Sequence, residues 1–196
     1  MSVLGGMHHT LIGRLASSGE LEQKNEIFDI FNRARPLPMD LLSFLGHLQD
    51  RLCCSDVVFT LGFVLLDKIL KSYPAFSLTN RNIHRIVFTS VSLAFKFSED
   101  ITFSNAALAK IGLVTTEELL RLEASFLAAS DWCIWSDEIS KNLEEYLDVF
   151  SKFETKKEAS NYDSDESSTE ETSGSFEDLS DFSELSAFFT SENSLL

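Results

Sequence analysis

The sequence has no long uncharged apolar run and few cysteines, and each absence excludes a class of protein. The longest apolar candidate, residues 57–66, ends at Asp67 and is shorter than the roughly 18 residues that a membrane span needs. The apolar run near the N-terminus is interrupted by glycine and by His8–His9, so we expect no signal peptide. Three cysteines without framework spacing predict reduced thiols in an intracellular protein of the nucleus or cytoplasm.

Basic residues are missing from the C-terminal end of the chain. Eleven of the 31 Asp and Glu residues, and none of the 16 Lys and Arg residues, lie from Glu158 onward. Of the net charge of −15, residues 1–157 therefore carry only −4, and they contain no basic stripe. Nucleic-acid binding needs clustered cations that displace phosphate counterions. The composition therefore argues against a nucleic-acid partner.

Catalytic and metal-binding motifs are also absent from the sequence. Neither glycine-rich phosphate loop, G-x-G-x-x-G or G-x-x-x-x-G-K, occurs. The pair His8–His9 is a weak metal site, and His47 and His84 have no Cys or carboxylate at a repeated ligand spacing. Cys53 lacks the surrounding signature of a thiol protease. We therefore expect a protein that is not an enzyme and that holds no metal or other cofactor.

Helical patterns are present throughout the first 150 residues, without a convincing strand alternation. Four leucines between residues 41 and 48 recur on one face of a helix. Two later helices, at about 55–72 and 80–97, are apolar on nearly all sides and should lie at the centre of a bundle. The predicted helix caps are Ser55, Asn80 or Asn82, Ser104, and a capping box of Thr115 with Glu118.

The composition predicts three segments in an all-α protein. Residues 1–19, rich in Gly, Ser and His, are predicted to be a flexible arm, and residues 20–153 an all-helical domain. Residues 154–196 are too polar and too charged to bury a core and are expected to be disordered. Within the domain, the prolines of "RPLP" end a first helix at 20–34, and a last helix runs over about 136–153.

Three stretches, taken in order, resemble a cyclin box, and more narrowly the P-type or U-type cyclins. They are "RPLPMDLLSFLGHLQDRLCCSDVVFTLGFVLLDKIL", "NIHRIVFTSVSLAFKFSEDITFSNAALAKIG" and "TTEELLRLEASFLAASDWCIW". Asn82-Ile83-His84-Arg85 is similar to the N-x-H-R motif of this family, and Lys96 to Asp100 to its K-x-x-D-D motif. The match covers about residues 25–150. The resemblance implies a five-helix cyclin-box bundle with flanking N- and C-terminal helices and a disordered acidic tail.

The resemblance also implies a cyclin that binds and activates a cyclin-dependent Ser/Thr protein kinase as its regulatory subunit. In that family, a lysine ending the third helix of the box and a glutamate of the fifth contact the kinase near its PSTAIRE-type αC helix. Lys96 and Glu123 match these positions, and Phe97, Phe126 and Leu127 are expected to frame them. Taken alone, Lys96 also suits the negative end of its own helix, and Glu123 suits a solvated helix face.

Structural roles in the cyclin box are implied for Asp67, His84, Arg85 and Asp100. In mitotic-type cyclins the aspartate that matches Asp67 pairs with an arginine of the first helix, which this sequence lacks at the matching place. Arg85 is one candidate partner instead, and the docking of R-x-L substrate motifs is not expected. Leu113 stands where the P-type family tends to have a second glycine, which leaves the local turn undetermined.

Two other functions remain open from the sequence. One is a cyclin-box adaptor or scaffold that binds partner proteins without activating a kinase; such proteins usually have two boxes and a basic face. The other places the function in the acidic tail. There, apolar residues three apart predict a segment that folds against an additional protein partner, and serines followed by acids are candidate phosphorylation sites. The apolar residues are Phe176, Leu179, Phe182 and Leu185.

Overall fold

The computed structural model describes the backbone of residues 2–17, 26–100 and 103–161. The chain divides into two compact units, Met1–Glu158 and Ala159–Leu196, and only residues 159–161 of the second unit are described. The acidic tail, with its predicted disorder, partner segment and phosphorylation sites, lies outside the described residues. The description below is restricted to these residues, nearly all of which belong to the first unit.

The described part of the chain contains eight α-helices and no strand. This confirms the all-α class. The helices are α1 (Ser2–Ser17), α2 (Glu26–Asp29), α3 (Leu41–Leu52), α4 (Asp56–Ser72), α5 (Ile83–Ser98), α6 (Asn105–Ile111), α7 (Thr116–Ala129) and α8 (Asp137–Asn161).

Helices α4 and α5 form the centre of the bundle, as their nearly continuous apolar sequences predict. Both are buried over most of their length, and they pack more extensively on each other than any other pair of helices. Gly62 allows this approach, because a Cβ atom there would lie 3.0 Å from the Cα atom of Val91. Helix α7 packs on α5 and on α6, which brings the end of α5 close to both.

The helix starts agree with the predicted capping residues. The Thr115 hydroxyl accepts a hydrogen bond from the Glu118 N–H at 3.1 Å, and the Glu118 carboxylate accepts one from the Thr115 N–H at 2.8 Å, so the capping box is complete. Ser104 caps α6 by accepting a bond at its hydroxyl. Ser55 and Asn82 occupy the N-cap positions of α4 and α5, although their side chains bond no helical N–H.

The N-terminal segment differs from the flexible arm predicted for residues 1–19. Helix α1 occupies residues 2–17 and packs against α3 and α4. At Gly6 it approaches the ring of Phe150 so closely that a Cβ atom would lie 2.5 Å from the ring carbon Cδ1. The apolar stripe that drives this docking consists of four buried residues, Val3, Leu4, Met7 and Leu11.

The other predicted helix boundaries also differ in part. Of the helix expected at 20–34, the described residues contain only the short α2, because the chain turns at residues 30–31 before it reaches the prolines. Helix α8 continues to Asn161, beyond the predicted end at residue 153. Within the described ranges, no helix combines the length and the apolarity that crossing a membrane requires.

Candidate functional site

The lysine and the glutamate that the sequence analysis pairs meet in the structure. Lys96 lies in the last turn of α5 and Glu123 in the middle of α7, with Lys96 Nζ 2.7 Å from Glu123 Oε2. Glu123 is only 8% exposed, whereas Lys96 is partly exposed at the edge of the bundle. The structure therefore contradicts the alternative in which Glu123 belongs to a solvated helix face.

Two further polar residues complete the network around this pair. The Ser92 hydroxyl donates to Glu123 Oε1 at 2.9 Å, and Lys96 Nζ donates to Asn105 Oδ1 at 2.8 Å. Both carboxylate oxygens and two of the three ammonium donors are thus engaged. The sequence analysis assigned no role to Ser92 or to Asn105, although Asn105 begins a segment, residues 105–112, that resembles the family. The available signal for Ser92 was its position four residues before Lys96, because that spacing places both side chains on one face of the helix.

The apolar residues predicted to frame the pair occupy three different environments. Phe97 is 49% exposed and stacks on Trp135 with ring centroids 5.7 Å apart. Leu127 is half-buried, and Phe126, at 1% exposed, belongs to the core. Phe97, together with the exposed Trp135, therefore forms an accessible apolar surface next in sequence to Lys96, while Phe126 supports α7 from inside.

Asp67 is almost completely buried and obtains its partners from three helices. Arg14 of α1 forms an ion pair with it, Lys71 of the same helix approaches to 2.8 Å, and the Tyr146 hydroxyl of α8 donates at 3.1 Å. Burial and the charge of Asp67 raise the pKa of Tyr146, so this hydroxyl keeps its proton and remains a donor. The candidate pairing of Asp67 with Arg85 is wrong, because the N-terminal helix supplies the arginine.

Arg85 instead joins α5 to the start of α7. Its guanidinium lies 2.6 Å from Glu118 Oε1 and donates to the backbone carbonyls of Ile30 and Asn32 at 3.2 and 3.3 Å. Glu118 also belongs to the capping box, so this one carboxylate fixes both the helix start and the arginine. Arg85 therefore links α5 to α7 and to the segment after α2. Its structural role in a cyclin box stays a prediction.

His84 is half-buried, whereas Asp100 is exposed. The His84 ring packs edge-on against Phe44 with centroids 5.1 Å apart, and its Nε2 atom is buried without a hydrogen-bond partner in the described residues. Burial lowers the pKa of His84, so the neutral ring is favoured. Asp100 is exposed at the end of the described segment, next to residues 101–102, which are not described.

Other polar chemistry in the described ranges gives no metal centre. No group of three or more His, Cys, Asp or Glu side chains there is arranged to hold a metal ion. Cys54 is half-buried, and this partial burial together with the charge of Glu99 raises the pKa of its thiol to about 11. Such a thiol is protonated at neutral pH and is a poor nucleophile.

The fold and the site together define a class of protein: a helical bundle with two buried central helices and a charged pair at the surface end of one of them, as in a cyclin box. The family model for cyclins matches residues 13–134, more than half of the chain. The chain belongs to the cyclin family, whose members are regulatory proteins.

Relatives of known sequence narrow the membership within this family. Cyclin-U4-1 of Arabidopsis thaliana is 30% identical over 131 residues, 65% of each chain. Cyclin-U4-2 of the same plant is 32% identical over 97 residues, 50% of this chain and 45% of its own. Cyclin-P4-1 of Oryza sativa subsp. japonica is 36% identical over 74 residues, 38% and 35% of the two chains. The resemblance to U-type and P-type cyclins is confirmed, and the chain spans less than two thirds of each of these relatives.

Proposed function

We propose that the chain is the regulatory subunit of a cyclin-dependent Ser/Thr protein kinase, which it binds through Lys96, Glu123 and the apolar residues around them. The observation that carries this proposal is the network at the end of α5, in which a partly exposed ammonium is held by a buried carboxylate. A purely structural ion pair has no need of an accessible phenylalanine beside it, and Phe97 is 49% exposed.

The proposed mechanism is a shift in the kinase's own conformational equilibrium. Phosphoryl transfer in protein kinases requires an ion pair between the catalytic lysine and a glutamate of the αC helix. A surface that binds only the inward position of αC increases the population of the active kinase. The cyclin contributes no catalytic group, and all the chemistry belongs to the kinase. Such a kinase works in the nucleus or the cytoplasm, which is where we expect the chain.

The charged pair alone is too weak to produce this shift. Converting a mostly inactive kinase into a mostly active one needs about 5 kcal/mol of differential binding. An interface of standard size buries about 800 Å² on each partner, with apolar anchors near its centre. We therefore assign the apolar contribution to Phe97 and Leu127 at the surface, with Phe126 supporting them, and the orientation of the kinase to Lys96 and Glu123.

Affinity purification followed by assays with purified components tests the proposal. The chain should recover a cyclin-dependent kinase, and adding it to the purified kinase should increase phosphorylation of a peptide substrate. The double variant Lys96→Met with Glu123→Gln removes both charges and leaves no buried carboxylate unpaired. We expect it to weaken kinase binding at least tenfold while circular dichroism shows an unchanged helical content.

The matched control is Lys110→Met, which removes an exposed lysine from the neighbouring helix α6. It should change kinase affinity by less than about twofold, as expected for an exposed charge. Equal binding by the double variant and the parent chain would contradict the assignment of this site. Binding without a rise in kinase activity would instead favour the adaptor function.

A further inference from the structure

We infer that Asn105 is a positioning residue of this site, which holds the Lys96 ammonium so that one N–H points toward the partner. The inference rests on the proposed function, in which Lys96 contacts a kinase. Its basis is the 2.8 Å hydrogen bond from Lys96 Nζ to Asn105 Oδ1. Asn105 is thus the third member of the site, after Lys96 and Glu123.

The geometry of the ammonium makes the second acceptor decisive. A lysine has three N–H donors in a tetrahedral arrangement on a flexible stem. Glu123 Oε2 accepts one of these N–H groups at 2.7 Å. With this acceptor alone, the other two N–H groups could still rotate about the line from Lys96 Nζ to Glu123 Oε2. A second acceptor, Asn105, removes this rotation, so the direction of the last N–H is fixed. Ordering the donor before binding lowers the entropic cost of forming the complex.

The chemical type of Asn105 suits this role. An amide oxygen accepts from the ammonium without adding a second negative charge, so Lys96 retains a net positive character toward an incoming acceptor. A partner group that is itself an acceptor, such as a backbone carbonyl, fits the remaining N–H. The same site would repel a cationic side chain.

Asn105 can be changed without removing the helix that carries it. Asn105 is the first residue of α6, and the helix is capped by the preceding Ser104, whose hydroxyl accepts from the Ala107 N–H at 3.3 Å. The helix is anchored by the buried residues Leu108 and Ala109. Alanine is a better helix former than asparagine, so Asn105→Ala should preserve α6.

A measurement on the free protein tests the geometry without any kinase. The side-chain ¹⁵Nζ–H signal of Lys96 should be visible at low temperature, because two hydrogen bonds slow the exchange of its protons with water. Asn105→Ala should broaden or remove this signal, and Asn105→Asp, which keeps an acceptor oxygen, should retain it. An unchanged signal in Asn105→Ala would overturn the inference whether or not the proposed function is correct.

A double-mutant cycle tests the role in binding. In the parent chain, Asn105→Ala should weaken kinase binding about threefold to tenfold, the effect expected when one side chain must be ordered on binding. In a Lys96→Met background the same change should have no effect, because Asn105 acts only through the ammonium. Asn142→Ala on α8 serves as the control for an unrelated asparagine.

The two possible failures are distinguishable. Equal losses with Asn105→Ala in both backgrounds would show a direct or general structural effect and would overturn the positioning role. Unchanged kinase binding with Lys96→Met would reject Lys96 as a kinase contact and with it the proposed binding site. The nuclear magnetic resonance experiment on the free protein would still decide whether Asn105 orders the Lys96 ammonium.

Discussion

At the scale of single residues, Gly112 illustrates a requirement for space and not for backbone freedom. It follows the last turn of α6 with φ −79°, which any residue adopts, but a Cβ atom there would overlap the ring of the buried Phe88. Gly112→Ala should therefore lower the free energy of unfolding by about 1–3 kcal/mol through overpacking. Urea unfolding followed by circular dichroism measures this change.

The control for Gly112 is a glycine with open space. Gly46, inside α3, would place its Cβ atom more than 4 Å from any neighbour, so Gly46→Ala should stabilise the protein by about 0.5–1 kcal/mol. Combining Gly112→Ala with Phe88→Leu should cost less than the sum of the two single changes, since the smaller side chain frees the space. Additive costs would show that the overlap with Phe88 is not the cause.

The next residue, Leu113, carries a different strain. Its φ is +56°, in the left-handed region, where a residue other than glycine costs about 1–2 kcal/mol. Its carbonyl accepts a hydrogen bond from Arg33 at 3.0 Å, which fixes this conformation. Leu113→Gly should therefore raise the free energy of unfolding by up to about 1 kcal/mol, whereas Leu113→Ala should not. A thermal midpoint that falls with Leu113→Gly would show that the leucine side chain outweighs the strain.

At the scale of helices, α1 is the element whose role changes most between sequence and structure. Leu11 is completely buried and its neighbour Ile12 is 39% exposed on the same helix. Leu11→Ala should cost about 2–5 kcal/mol of unfolding free energy, and Ile12→Ala less than about 1 kcal/mol. Urea unfolding of both variants measures the difference. Two equally small effects would mean that α1 does not dock on the bundle in solution.

The sequence predicts those elements whose signals are local. The Thr115–Glu118 capping box and the apolar central helices are determined by residues within one or two turns, and they appear as expected. Helix α1 was missed because Gly5 and Gly6 lower its intrinsic helix propensity. Gly6 is needed there because the ring of Phe150 lies against it, a contact between the two ends of the domain that no local pattern contains.

In the candidate site, too, one pairing was predicted from the sequence and another was missed. The resemblance to cyclins placed Lys96 and Glu123 together, and the structure brings them to 2.7 Å. It did not identify the partner of Asp67, because Arg14 lies 53 residues away in a segment expected to be flexible. A pairing across that distance depends on how α1 packs, which the sequence pattern alone did not indicate.

At the scale of the whole molecule, two half-buried histidines make the stability depend on pH. His47 of α3 donates to the Ile111 carbonyl of α6 at 3.0 Å, and both its ring and that of His84 pack against Phe44. Burial lowers the pKa of both rings below the ordinary value of 6.5. The nearby charges act in pairs of opposite sign: Arg51 and Asp50 at His47, and Arg33 and Asp40 at His84.

The sign of the pH effect follows from proton binding. Between pH 7.5 and 5.5 the unfolded chain takes up protons at these two positions before the folded one does, so unfolding becomes easier as the pH falls. Urea unfolding at three pH values in this range should show decreasing stability. The double variant His47→Gln with His84→Gln, which leaves His8 and His9 unchanged, should show a shallower decrease. An equal slope in the double variant would rule out these rings as the cause.

The site around Asp67 can be completed on the ribosome only after α8 has been made, because the Tyr146 hydroxyl is one of its partners. Arg14 has already been synthesised when Asp67 is made, but Tyr146 follows 79 residues later, a delay of roughly 4–16 s at ordinary translation rates. During that time the ring of Phe63, which packs against Tyr146 and Phe150 in the finished protein, is uncovered. A premature stop codon before residue 146 would make this exposure permanent, and the truncated product would be a substrate for chaperones and proteases.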